Sequence, residues 1–86
     1  MKYSFYNETF TWDEVEDILK ARVEGWAKQI RLAQQVGMDQ ESLKVMKYLL
    51  AVYLSNYWTF RIMVFGKLET TETHRLAEEL LGEENQ

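Results

Sequence analysis

Few residues in this chain could do chemistry, and their spacing limits what that chemistry could be. His74 is the sole imidazole in 86 residues, and there is no cysteine. No Gly-rich phosphate loop is present, so few nucleophile–base pairings are open to it. His74 stands four residues before Glu78, which would put both on one side of a helix as two metal ligands. A closed zinc site wants four, so a solvated surface histidine is the simpler expectation. Asp13, Glu14, Glu16 and Asp17 crowd one stretch as a magnesium or di-metal site would require. No second segment supplies a matching E-x-x-H or E-x-x-D set, and acidic residues in a first helical turn are what the helix dipole favours. The sequence therefore leads to no catalytic, cofactor-binding or metal-binding residues, and an enzyme or metal-binding bundle ranks behind other classes.

Arg61 is the most informative charge, because it interrupts an aromatic run between Phe60 and Ile62. A buried guanidinium must be paired. If two helices form a hairpin closing between Val36 and Gln40, Arg61 lies level with Val15, within reach of Glu14 or Asp17. The expectation is an ion pair of Arg61 with one of these that fixes register; an anion-binding Arg beside Trp58 and Trp12 is the alternative.

The elements that would position these groups are legible from capping and periodicity. Thr11 and Glu14 form an S/T-x-x-E capping box, with Phe10 and Val15 placed as a hydrophobic staple. Val15, Leu19, Val23, Trp26, Ile30, Ala33 and Val36 then recur at helical spacing, predicting a first helix over 12–36. Glu16, Lys20, Glu24 and Lys28 form an alternating charge ladder read as its solvent face. Gly37 ends it and Asp39 caps a second helix over 40–65, stopped by Gly66. So short a connection makes the pair an antiparallel hairpin, each helix roughly 40 Å long.

Leu43, Met46, Leu50, Tyr53, Tyr57, Phe60 and Val64 form an unbroken seam of coiled-coil spacing along the second helix. A second apolar stripe, Val45, Leu49, Val52, Leu54, Trp58, Ile62 and Phe65, runs beside it and leaves a polar ridge through Lys44, Lys47, Ser55 and Thr59. One hairpin cannot cover both, so the expectation is a homo-oligomer, a two-fold four-helix bundle, with the seam Leu43 to Val64 as its interface. A third, short helix over 71–81, capped by Thr70 and stopped by Gly82, would precede a frayed tail at 82–86. Residues 1–11, with Tyr3, Phe5 and Tyr6, read as an aromatic arm or a short strand that would need a partner. The fold class is thus all-α: a long helical hairpin plus a short C-terminal helix in one domain.

Charge orders the functional classes. The net charge is −4, and the excess sits in 67–86, where Glu69, Glu72, Glu78, Glu79, Glu83 and Glu84 face only Lys67 and Arg75. Such a chain gains nothing from counterion release, so direct nucleic-acid binding is a poor expectation. The leading class is a small acidic, non-enzymatic interaction protein, an adaptor or inhibitor binding another protein through those six glutamates. A membrane-associated, holin-like protein is the alternative, since 48–66 carries one charge over about the length that spans a bilayer. Ser55, Asn56, Thr59 and Arg61 weigh against that span. The first ten residues show no signal-peptide pattern and there is no cysteine framework, which fits a cytoplasmic setting.

Overall fold

A computed structural model describes residues 2–5 and 8–83. Strands β1 (Lys2–Phe5) and β2 (Glu8–Thr11) pair antiparallel, with Lys2 opposite Thr11 and Phe5 opposite Glu8. Of the two readings of this segment, arm or strand, it takes the strand form, and the partner strand lies in the same chain. Three helices follow: α1 (Trp12–Gln35), α2 (Gln40–Phe60) and α3 (Glu72–Gly82). A π-helical turn, Arg61–Phe65, extends α2. The chain is mostly helical, and α1 and α2 form the antiparallel hairpin read from the sequence.

The capping signals act as written. Thr11 Oγ1 accepts from the Glu14 N–H at 3.2 Å while the Glu14 carboxylate accepts from the Thr11 N–H at 2.9 Å. Val36 closes α1, and Gly37, at φ 76°, adopts the left-handed conformation of a Schellman motif. Its two bonds are both present, Met38 N–H to Ala33 at 2.9 Å and Gly37 N–H to Gln34 at 3.2 Å. Val36 is consequently off the apolar stripe and 78% exposed. Gly66 ends the π-helical turn in the same left-handed region.

Helix α3 folds back onto both long helices, and one core joins the three: Val23, Ile30, Leu50, Leu54, Tyr57, Ala77 and Leu80. This corrects two expectations. Leu43, Leu50 and Tyr57 of the expected oligomer seam are buried within one chain, with Met46 and Tyr53 packed against the same core, because α1 and α3 reach them first. The second stripe is split, since Leu54 is buried in the shared core while Val45 and Val52 stay exposed. No helix among the described residues is long and apolar enough to cross a membrane.

Candidate functional site

The hairpin has two unlike sides, and the polar residues singled out above gather on the side that α3 covers. At its β-hairpin end, Arg61 is only 8% exposed and its guanidinium bonds the Glu16 carboxylate. The expected partners Glu14 and Asp17 are not used. Glu14 is committed to the cap of α1, and Asp17 is exposed. The Arg61 Cζ lies 5.9 Å from the centre of the Tyr57 ring, a cation–π contact one helical turn back along α2. Trp12 packs on Phe60 at 5.9 Å beside this pair, so the aromatic surround is side chain on side chain.

His74 is 1% exposed, which overturns the solvated-surface expectation. The cause is the docking of α3 on the hairpin, and the cap is also shifted by one residue: Thr71, not Thr70, begins α3, which places His74 at its third position. There it acts as the reaching-back member of a capping box. Its Nδ1 accepts from the Thr71 N–H at 3.1 Å, and Thr71 Oγ1 accepts from the His74 N–H at 3.3 Å. The ring stacks on Tyr57 at 4.9 Å and meets the edge of Trp58 at 4.8 Å. Burial, and then the positive charge of Arg61, hold its pKa below the ordinary imidazole value; Glu78 acts weakly the other way. Nothing but the periodicity of His74 with Ala77 and Leu81 could have placed it inward from sequence.

The charge ladder of α1 does not face open solvent along its length. Glu16 turns in to Arg61, and Glu24 accepts from the Thr73 hydroxyl of α3 at 2.8 Å. Of the carboxylates that looked like a metal cluster, Glu14 serves the cap and Glu16 the ion pair, while Asp13 and Asp17 are exposed. Among the described residues no group of three or more His, Cys, Asp or Glu side chains could hold a metal ion.

The six glutamates expected to bind a partner fall into different situations. Glu69, Glu78 and Glu79 are exposed, and Glu72 is exposed while pairing with Arg75 at 2.7 Å. Glu83 is tied down: its carboxylate takes Arg31 at 2.8 Å and Gln34 at 3.3 Å from α1, and its backbone carbonyl accepts from buried Lys47 of α2 at 3.2 Å. The Arg31 and Gln34 bonds hold the Glu83 pKa below the carboxylate norm. The expected fraying at 82–83 is thus corrected, because the chain is anchored there to both long helices. Glu84 and the rest of the tail lie outside the described residues.

Between α1 and α3 runs a groove of about 690 Å³ with Val23 and Ala27 in its lining and Leu32 and Leu76 as exposed apolar side chains. Glu24, Glu79, Lys28 and Arg31 also line it. The other side of the hairpin, away from α3, carries a second groove of about 620 Å³ lined by Phe10, Val15, Ile18 and Phe60, with Arg22 and Asn56. Along α2, Val45, Tyr48 and Val52 follow the i, i+3, i+7 spacing of one face and are exposed, Tyr48 at 69%.

Compared with protein-family models, curated proteins and solved structures, the chain matches none of them. Function must therefore be argued from these surfaces.

Proposed function

We propose that the protein is a non-enzymatic interaction module that pairs with a second copy of itself and docks onto another protein through its acidic third helix. One observation supports this reading above others: apolar side chains are left exposed on two opposite sides of the hairpin, and the two sides differ in charge. Val45, Tyr48 and Val52 on α2 are exposed, with a single carboxylate, Glu41, one turn before Val45 on that face. On α3, Leu76 lies between Glu72 and Glu79, one turn away on either side, above the α1–α3 groove.

An exposed apolar row on a small protein is the kind of surface that self-association removes from water. A two-fold axis along α2 would cover Val45, Tyr48 and Val52 of both copies and leave α3 outward. The Leu76 groove offers an apolar anchor point lined by Glu24 and Glu79 as well as by Lys28 and Arg31, and exposed Glu79 suits an amphipathic segment carrying Lys or Arg beside a large apolar residue. Such an acidic surface could also occupy the basic, nucleic-acid-binding face of a partner.

Affinity capture with the wild type and two variants tests both surfaces. Leu76→Asp should lose the captured partner while the oligomer survives, and Val52→Glu should dissolve the oligomer. Partner binding that is insensitive to Leu76→Asp, and to replacing Glu72 and Glu79 with Gln, would refute the α3 assignment.

A further inference from the structure

We propose that His74 is an acid-sensitive latch, whose protonation releases helix α3 from the α1–α2 hairpin. Because Nδ1 accepts from the Thr71 N–H at 3.1 Å, the imidazole in place is neutral, with its proton on Nε2. A second proton has to go onto Nδ1, where that N–H already points. Donor would then face donor, and the capping box that starts α3 would lose one of its two bonds. Thr71 Oγ1, 2.9 Å from Nδ1, can accept the new proton by turning its hydroxyl, but the Thr71 N–H then has no acceptor and faces another donor.

The surroundings offer the resulting cation little. The ring is 1% exposed, and Nε2 is buried with no hydrogen-bond partner. From α2, Tyr57 covers one face and Trp58 meets the ring edge-on, while Arg61 brings a like charge against the same Tyr57 ring. From α1, Glu16 is spent on Arg61, and Glu24 accepts the hydroxyl of neighbouring Thr73. From α3 itself, exposed Glu78 favours the imidazolium, and it is outweighed by burial and by Arg61. An imidazolium gains its hydration only by leaving, and α3 leaves with it.

The sign of the effect follows from linkage. A histidine held neutral in the docked state contributes stability that is complete above the ordinary imidazole pKa of about 6.5 and is lost as pH falls from there toward its lower, docked-state pKa. One such group weakens docking by at most about tenfold per pH unit. Release would uncover Leu54 and Tyr57 and dismantle the groove at Leu76. A consequent loss of partner binding in acid rests on the function proposed above; the latch itself does not.

Because the chain holds one histidine, its imidazole resonances are unambiguous in an NMR titration of the full chain downward from about pH 7.5. The expected result is an imidazole midpoint below about 6.5, with the backbone amides of 72–82 changing at the same midpoint and those of Ile18 and Asn56, on the side of the hairpin away from α3, unchanged. A midpoint at or above that value, or a low midpoint with the α3 amides unmoved, overturns the proposal. His74→Gln keeps an acceptor for the Thr71 N–H and cannot titrate in this range, so it should abolish the α3 transition; persistence of the transition would assign it to carboxylates instead. Should His74→Gln already lose α3 at neutral pH, Glu78→Gln decides: both midpoints should shift further down together, and an unmoved or raised midpoint counts against the latch.

Discussion

Arg61 and Glu16, 45 positions apart in the chain, close an ion pair between the end of α2 and the first turns of α1. Both are largely buried, so the pair fixes which turn of one helix meets which turn of the other. Removing one partner strands the other charge, which is the costly change for a buried pair.

Glu16→Ala should therefore destabilise the fold by roughly 2–4 kcal/mol, the lower end reflecting the partial exposure of Glu16. Replacing both residues, Glu16→Leu with Arg61→Met, should recover most of that loss. Urea unfolding of the two variants measures the difference. Equal destabilisation by the single and double changes would show that packing around Arg61, not charge, is what matters there.

Two glycines should respond in opposite directions to alanine. Gly37 sits at φ 76°, so Gly37→Ala forces a side chain into the left-handed region and should cost about 1 kcal/mol. Gly25 lies inside α1 with nothing within 4 Å of an added Cβ. Gly25→Ala should stabilise by roughly 0.5–1 kcal/mol through helix propensity and reduced freedom of the unfolded chain. Thermal unfolding monitored by circular dichroism reads both.

Two carboxylates add a separate acid dependence. Ser42 holds the Asp39 carboxyl below its ordinary range through bonds to the N-cap of α2, and Arg31 does the same for Glu83. Since the folded-state pKa is depressed in each, their stabilisation is present above the unfolded carboxylate pKa and lost as pH falls through the folded one. Asp39→Asn and Glu83→Gln should each flatten the fall of stability with pH below about 4.5. An unchanged slope in either variant would mean that its bonds add nothing.

What was legible in the sequence was whatever local chemistry decides. Thr11 with Glu14, Gly37 and Asp39 announce their helix ends through caps and a left-handed turn, and the hairpin follows from the short link between them. The destination of α3 was not legible, because its apolar residues would serve equally to cover its own hairpin or a neighbour. That ambiguity hid the burial of His74, the inward turn of Glu16 and Glu24, and the occupation of the seam from Leu43 to Tyr57 within one chain. The partner of Arg61 was found to within two residues; helix level is readable from the hairpin register, whereas the cap that removes Glu14 from competition acts through three-dimensional geometry.

The seam now buried within the chain changes which substitutions separate folding from assembly. Leu50→Glu and Tyr57→Glu place a charge in the core and should unfold the chain outright. Lys28→Glu, on an exposed position of α1, should leave folding and self-association intact.

Sedimentation equilibrium at micromolar concentration tests self-association through the open face of α2 most directly. The wild type should have the mass of two chains, and Val52→Glu or Tyr48→Glu, both at exposed positions, should have the mass of one chain with an unchanged helical circular dichroism spectrum. A wild-type mass of one chain, together with a thermal transition independent of concentration, would contradict the account.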